Sequence, residues 1–177
     1  MIFGYTANGK YEQITDLNCA GTIWLDLISP TSDEERAVEK HIGINIPTRE
    51  EMAEIELSNR MYQENNALYL TMVAITKADT DEPKNTPVTF VVSKHTLVTI
   101  RYEDLGSFKQ FVSRLNKVNH PNHIEIFNGI VESIINRTAD ILERIAADID
   151  QVSKKVFKDK TTKDRYEQAL EAVGRNG

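Results

Sequence analysis

The sequence predicts an α+β or mixed α/β fold, an αβα sandwich around a largely antiparallel mixed sheet. Two observations carry this prediction. Short strand-like runs joined by turn signals fill most of the first half of the chain, and the spacing of apolar residues changes from two to about 3.6 after Asp104. Strands grouped ahead of helices are typical of a sheet covered by helices. We expect one domain over residues 1–160, with residues 161–177 beginning a further helix.

The N-terminal part predicts a hairpin and a buried strand. The pair Asn8-Gly9 separates strand-like residues 1–6 from residues 10–14. Asn-Gly is a strong hairpin signal because both residues tolerate a positive φ. The segment Thr22–Ile28 is dense in apolar residues, which is typical of a buried strand.

Two capping boxes predict two short helices. Ser32 with Glu35 opens the first helix, which should end at Gly43 because glycine readily adopts the left-handed conformation of a helix end. Thr48 with Glu51 opens the second helix directly after a proline.

Two more hairpins are predicted in the middle of the chain. Met61–Glu64 and Ala67–Thr76 flank an asparagine pair, and residues 88–93 and 96–102 flank a Lys-His pair. The polar residues 78–86 between these hairpins should form a loop.

Helices fill the C-terminal part. Residues 105–115 carry an amphipathic stripe, residues 124–157 predict a long helix, and residues 162–173 a further one after an exposed basic linker. The positions of the long helix with helical apolar spacing are Phe127, Val131, Ile134, Ile135, Thr138, Ile141, Leu142, Ile145, Ile149, Val152 and Val156.

Composition excludes several functional classes. The net charge of −6 argues against a nucleic-acid partner, because such binding needs basic surfaces that neutralise phosphates. The single Cys19 cannot form an intrachain disulfide, which fits a reducing compartment. No apolar run approaches the ~20 residues of a membrane span, so we expect the chain itself to be soluble.

The sequence gives little support for catalysis. Cys19 has no nearby histidine, and Gly-x-Ser-x-Gly and phosphate-binding glycine loops are absent. We therefore do not expect an enzyme. His120 and His123 have a spacing that could serve one metal, but a turn between helices is the favoured interpretation because a third ligand is missing nearby.

Carboxylates are the more informative group. Asp79, Asp81 and Glu82 share one loop, and Asp148 and Asp150 lie on the long helix with other acidic residues. Oxygen ligands suit Mg²⁺, which often keeps several waters and needs few carboxylates from each chain. Two interpretations stay open: solvated loop and helix surfaces, or a weak site completed by another subunit.

Taken in order, these features resemble the cytoplasmic N-terminal domain of a CorA-type divalent-cation transporter, and the resemblance covers nearly the whole chain. The segments that carry it are Trp24-Leu25-Asp26-Leu27 with Pro30 and Glu34-Glu35, Ile46-Pro47-Thr48-Arg49-Glu50-Glu51-Met52 with Glu54-Ile55-Glu56, Ser58-Asn59-Arg60-Met61-Tyr62, Pro87-Val88-Thr89-Phe90-Val91, Leu97-Val98-Thr99-Ile100-Arg101-Tyr102, Ala139-Asp140-Ile141-Leu142-Glu143 and Asp148-Ile149-Asp150.

The resemblance implies a homopentamer at the cytoplasmic side of the inner membrane, in which Mg²⁺ binds between neighbouring domains and holds a pore closed. Asp79 is the best match for the loop ligand, with Asp81 and Glu82 beside it, and Asp148 or Asp150 would serve from the long helix. Co²⁺, Ni²⁺ and Zn²⁺ are further candidate ions. Residues 161–177 would begin the stalk helix, and the chain would stop before the transmembrane helices.

Two alternatives accompany this interpretation. The first is the cytoplasmic domain of a zinc-transporting relative in the same superfamily. The second is a soluble scaffold that keeps the fold without a pore.

Overall fold

The computed structural model separates the chain into two compact units, Met1–Thr138 and Ala139–Gly177. The described residues are 1–6, 9–15, 17, 21–54, 60–80, 82–115 and 120–174, without the side chains of Glu54 and of residues 156–174. The predicted boundary at residue 160 stays a prediction.

A seven-stranded mixed sheet forms the centre of the first unit, in the order β2-β1-β3-β7-β6-β5-β4. Among the described strands, only β3 and β7 run parallel, and each other neighbouring pair is antiparallel. This confirms the predicted largely antiparallel mixed sheet. The strands are β1 Ile2–Thr6, β2 Tyr11–Gln13, β3 Thr22–Ile28, β4 Met61–Glu64, β5 Ala67–Thr76, β6 Lys84–Val92 and β7 Leu97–Arg101.

The predicted hairpins are present. Asn65 and Asn66 join β4 to β5 with φ values of 47° and 61°, which is the conformation that two-residue hairpin turns need. β1 pairs with β2, and β6 with β7, in antiparallel register. Ala7 and Asn8 of the first turn lie outside the described residues, but Gly9 has the expected positive φ of 77°.

The loop after β5 is shorter than predicted. Residues 84–86 were expected in that loop, but Lys84 pairs with Thr76 and Thr86 pairs with Ala74 at the start of β6. Polar composition misleads here because these strand residues lie towards the solvated end of the sheet, where Lys84 and Asn85 are exposed. The loop is therefore limited to residues 77–83.

Helices cover both faces of the sheet, which confirms the αβα sandwich. Side chains alternate along each strand, so successive residues face opposite helices. Trp24 packs with helices α3, Gly106–Leu115, and α4, His123–Gly174. Leu25 packs with α1, Ser32–Ile42, and α2, Arg49–Glu54. Each face has its own apolar cluster, centred on Phe90 and Phe108 on one side and on Val91 and Val38 on the other.

The caps of α1 and α2 fix where these helices begin. For α1 the capping box is Thr31 with Glu34, so the predicted pair of Ser32 with Glu35 was wrong by one residue. The Glu34 carboxylate also lies 2.9 Å from the N-terminal ammonium of Met1, which favours this register. The Thr48 and Glu51 box of α2 is confirmed by two backbone bonds of 2.8 and 3.3 Å, and Gly43 ends α1 with a φ of 72°.

One continuous helix, α4, runs from His123 to Gly174. The predicted break after residue 157 and the linker before residue 162 were therefore wrong. Within the first unit its buried apolar face is Ile126, Ile130 and Ile134. Ile126 and Ile130 were missed from the sequence because the predicted apolar stripe lay on a different side of the helix. Among the described side chains of α4, the large apolar ones that are exposed are Ile124, Ile135, Leu142, Ile145, Ile149 and Val152.

A buried polar network joins the parallel strands on the α3 side of the sheet. Asp26 on β3 is fully buried and its Oδ2 accepts from the Arg101 Nη2 of β7 at 2.8 Å. Tyr11 donates to Oδ2 at 2.6 Å, and Thr99 donates to Oδ1 at 2.7 Å. Trp24 donates to the Thr99 hydroxyl at 2.9 Å, so the carboxylate is supported by strands β2, β3 and β7 together.

Replacing Asp26 by asparagine should destabilise the chain by about 3–5 kcal/mol, because the Arg101 charge would stay buried without its partner. Urea unfolding followed by the fluorescence of Trp24, the one tryptophan of the chain, measures the loss. The matched control is Asp33→Asn, which breaks an exposed pair with Arg36 and should cost about 0–1 kcal/mol. Equal losses in the two variants would contradict a structural role for the network.

Stability should also fall in alkaline solution. In the folded chain the pKa of Tyr11 is raised, mainly by burial and then by the charge and hydrogen bond of Asp26. Burial is also the main cause that raises the pKa of Tyr69 and of Tyr102 to about 12. Since the folded pKa values exceed the unfolded value, the contribution is complete below about pH 10 and is lost as pH rises further. The free energy of unfolding should therefore decrease above about pH 10, and Tyr11→Phe should make that decrease shallower. A slope unchanged by Tyr11→Phe would contradict this assignment.

The helices α3 and α4 meet at Gly129, where an added Cβ would overlap the Phe111 ring. Gly129→Ala should therefore destabilise the fold by about 1–3 kcal/mol, even though alanine favours a helix over glycine by about 1 kcal/mol. Gly106→Ala is the matched control, since nothing lies within 4 Å of its added Cβ. Thermal unfolding measures the change in stability of both variants. A stabilised Gly129→Ala would contradict the close approach of Gly129 to the Phe111 ring.

Candidate divalent-cation site

Asp79 lies in a hydrogen-bonded turn directly after β5. The Thr80 amide donates to the Lys77 carbonyl at 3.0 Å, and the Thr80 hydroxyl donates to the same carbonyl at 2.8 Å. Lys77 adopts a positive φ of 54°, which closes the turn. Asp79 is the third of these four residues, so the turn itself orients its side chain.

Both ends of the loop are attached to the segment between β7 and α3. The Thr76 hydroxyl meets the Asp104 carbonyl at 3.5 Å, and the Lys84 ammonium donates to the Glu103 carboxylate at 2.7 Å. The hydrogen bond from Lys84 holds the pKa of Glu103 below its usual value. Arg101 of the buried network in turn donates from Nη1 to the Glu103 carbonyl at 3.0 Å. The loop ends are thus anchored through Arg101 to the core.

The Asp79 side chain itself is 63% exposed and faces an arginine on α4. The Arg137 Nη2 lies 2.5 Å from Asp79 Oδ2, and the arginine side chain is 36% exposed. An exposed ion pair of this kind contributes only about 0–1 kcal/mol to stability.

The other predicted ligands are Asp81, Glu82, Asp148 and Asp150. Asp81 lies outside the described residues, and Glu82 is exposed, with its amide donating to the Thr80 hydroxyl at 3.3 Å. Asp148 and Asp150 are exposed on the part of α4 that belongs to the second unit. Across the described part of the chain, no three His, Cys, Asp or Glu side chains are placed to hold a metal ion. The ligand set therefore stays a prediction.

Three residues of this surface escaped the sequence analysis. Arg137 is 58 positions from Asp79, and Lys84 and Glu103 are 19 positions apart. No local spacing rule connects residues so far apart in sequence, because only the fold of sheet and helices brings them together.

The two histidines considered as a metal pair lie at the start of α4. His120 has a positive φ of 47°, and Asn122 caps the helix by accepting from the amides of Ile124 and Glu125 at 2.9 and 3.0 Å. A capped helix start supports the interpretation as a turn between helices.

In the part of the chain that is described, no helix combines the length and the apolar character that a membrane crossing requires.

Relatives of the chain include bacterial magnesium transport proteins. The Magnesium transport protein CorA of Pasteurella multocida is 27% identical over 166 residues, which are 93% of this chain and 52% of that protein. The chain thus spans about half the length of the curated relatives it matches.

Solved structures share the fold. The soluble domain of CorA from Methanocaldococcus jannaschii matches with a TM-score of 0.64 and 12% identity, covering 89% of this chain and 64% of that one. The cytoplasmic domain of ZntB from Vibrio parahaemolyticus matches with a TM-score of 0.57 and 12% identity, covering 82% of this chain and 61% of that one.

The family model described as CorA-like Mg2+ transporter protein matches residues 20–170, which include strands β3 to β7, helices α1 to α3 and most of α4. The chain therefore belongs to the CorA-like Mg²⁺ transporter family.

Proposed function

We propose that this chain is the cytoplasmic regulatory domain of a CorA-type magnesium transporter, acting by ion sensing and not by catalysis. The observation that carries the proposal is the family match over residues 20–170, within a chain about half as long as its curated relatives. The pore would lie in the rest of a longer protein. This domain would work at the cytoplasmic side of the inner membrane of the cell.

The proposed signal is Mg²⁺ bound between subunits. Asp79 supports this role because it is exposed on a loop whose ends are anchored, so a neighbouring subunit could approach it without unfolding anything. Asp148 or Asp150 of the neighbour would complete the site, with Asp81 and Glu82 beside it. Mg²⁺ keeps several waters and needs few carboxylates, so each chain would supply only one or two.

The gating mechanism would be electrostatic. Carboxylates crowded at an interface repel each other, and a divalent ion between them removes that repulsion. When cytoplasmic Mg²⁺ falls, the interface loses both the bridging ion and the screening, which shifts the population towards the open pore.

The exposed apolar residues of α4 support self-association. Leu142, Ile145, Ile149 and Val152 follow spacings of three and four residues and are 46–63% exposed. Such spacing places them on one stripe of the helix, as in helices that pack against other helices. We propose that this stripe is covered in the assembled homopentamer.

A zinc-transporting relative is the second candidate, because the ZntB cytoplasmic domain shares the fold. In this alternative the same domain would respond to Zn²⁺ instead of Mg²⁺.

Mg²⁺ should slow limited proteolysis of the chain. Asp79→Ala should raise the Mg²⁺ concentration needed for this protection about tenfold, because one ionic ligand contributes roughly 1.4 kcal/mol or more to binding. The control is Asp33→Ala, which removes an exposed, paired carboxylate from α1. Parallel titrations with Zn²⁺ distinguish the two candidates. Protection by Mg²⁺ that survives Asp79→Ala would remove the proposed site, and a preference for micromolar Zn²⁺ would favour the second candidate.

A further inference from the structure

The contact between Asp79 and Arg137 places a permanent cation on the carboxylate that the proposed function assigns to Mg²⁺. The guanidinium Nη2 lies 2.5 Å from Asp79 Oδ2, so it occupies the position from which a metal ion or its bound water would contact that oxygen.

We propose that Arg137 is an intrachain competitor of the divalent cation, which must displace the guanidinium from Asp79 in order to bind. This inference rests on the proposed function, because it concerns the same carboxylate. Mg²⁺ in contact with Asp79 Oδ2 would lie beside the guanidinium charge, and repulsion between two cations so close makes each of them weaken the binding of the other.

The surroundings make such an exchange feasible. Both partners are partly exposed, at 36% for Arg137 and 63% for Asp79, so water can replace the broken contact. Exposed ion pairs of this kind contribute only about 0–1 kcal/mol, which a divalent ion can overcome. The loop need not unfold, because its ends are held by Asp104 and Glu103 independently of Asp79.

The exchange would couple ion binding to α4. Arg137 is the last but one residue of the first compact unit, and its pair with Asp79 connects α4 to the loop after β5. Cation binding would break this connection, so a site on the loop would report directly to the helix. Because the two cations compete, whatever weakens the pair must strengthen cation binding, by at most the factor by which the pair is weakened.

Arg137→Gln tests the inference, because glutamine keeps the helix but removes the charge. Titration of the 177-residue chain with MgCl₂ at constant ionic strength, followed by protection from proteolysis, should show a midpoint roughly two- to fivefold lower than for the unchanged chain. Constant ionic strength, kept with NaCl, is needed because added salt screens exposed pairs. Arg137→Lys keeps the charge and should move the midpoint less.

The matched control is Arg36→Gln. Arg36 is also an exposed arginine that pairs with an aspartate, Asp33, but on α1, and its loss changes the net charge equally. If Arg36→Gln lowers the midpoint as much as Arg137→Gln does, the effect is general electrostatics and the inference is wrong.

A second measurement is a double-mutant cycle with Asp79→Asn and Arg137→Gln. Without Mg²⁺ the two changes should have non-additive effects on the thermal midpoint, and at saturating Mg²⁺ this non-additivity should disappear. Non-additivity that persists at saturating Mg²⁺ would show that the pair and the ion coexist, and would overturn the competition.

The outcomes separate the inference from the proposed function. If the unchanged chain and Arg137→Gln respond to Mg²⁺ through Asp79 with equal midpoints, the ion site stands and the competition is refuted. If neither protein responds, both proposals fail for this chain. If only Arg137→Gln responds, the competition is supported in its strongest form. If Arg137→Gln abolishes a response that the unchanged chain shows, Arg137 helps to build the site and the inference is wrong.

Discussion

The ion pair between Asp26 and Arg101 is the constraint on which the arrangement of the first unit depends. It joins β3 to β7, the parallel pair in an otherwise antiparallel sheet. A buried carboxylate is costly unless its lone pairs are used, and here Arg101, Tyr11 and Thr99 all donate to it. The partners come from separate segments of the chain, so the network forms only when those segments take their final positions.

Arg101 extends this constraint towards the surface. Its guanidinium stacks 4.5 Å from the centre of the Phe108 ring and donates to the Glu103 carbonyl, so it also fixes how the chain leaves β7 and enters α3. Glu103 then holds Lys84 at the start of β6. A charge buried in the core is in this way connected, through two further residues, to the loop that carries Asp79. The ends of the loop are anchored by hydrogen bonds, while the Asp79 carboxylate is exposed and its counterion Arg137 comes from a different element.

The division into two units gives the chain two kinds of surface. In the first unit, apolar side chains of α4 such as Ile126 and Ile130 are fully buried under the sheet. In the second unit the side chains described after Ile141 are almost all exposed, including large apolar ones such as Leu142 and Ile149. Large exposed apolar side chains in regular spacing are a feature of surfaces that bind other helices. In the proposed assembly, other subunits would cover these side chains.

The sequence by itself determined the class of the fold, most element boundaries and the family. Local signals sufficed for these, because a hairpin turn such as Asn65-Asn66, a cap such as Thr48 with Glu51 and a helix end such as Gly43 act over a few residues. The resemblance in the segments from Trp24 to Asp150 was enough to indicate the CorA-like family, which the family match then showed. Asp79 could be singled out as a candidate ligand in the same way.

Tertiary structure alone decided which side chains meet. The choice of Thr31 over Ser32 as the cap of α1 depends on the N-terminus of Met1, 33 residues from Glu34. The buried face of α4 was misjudged because a helix with apolar residues on several sides does not show from its own spacing which side the sheet covers. The pairing of Asp79 with Arg137, and of Asp26 with Arg101, joins residues 58 and 75 positions apart. Such contacts are set by the packing of whole elements, and no short-range pattern in the chain encodes them.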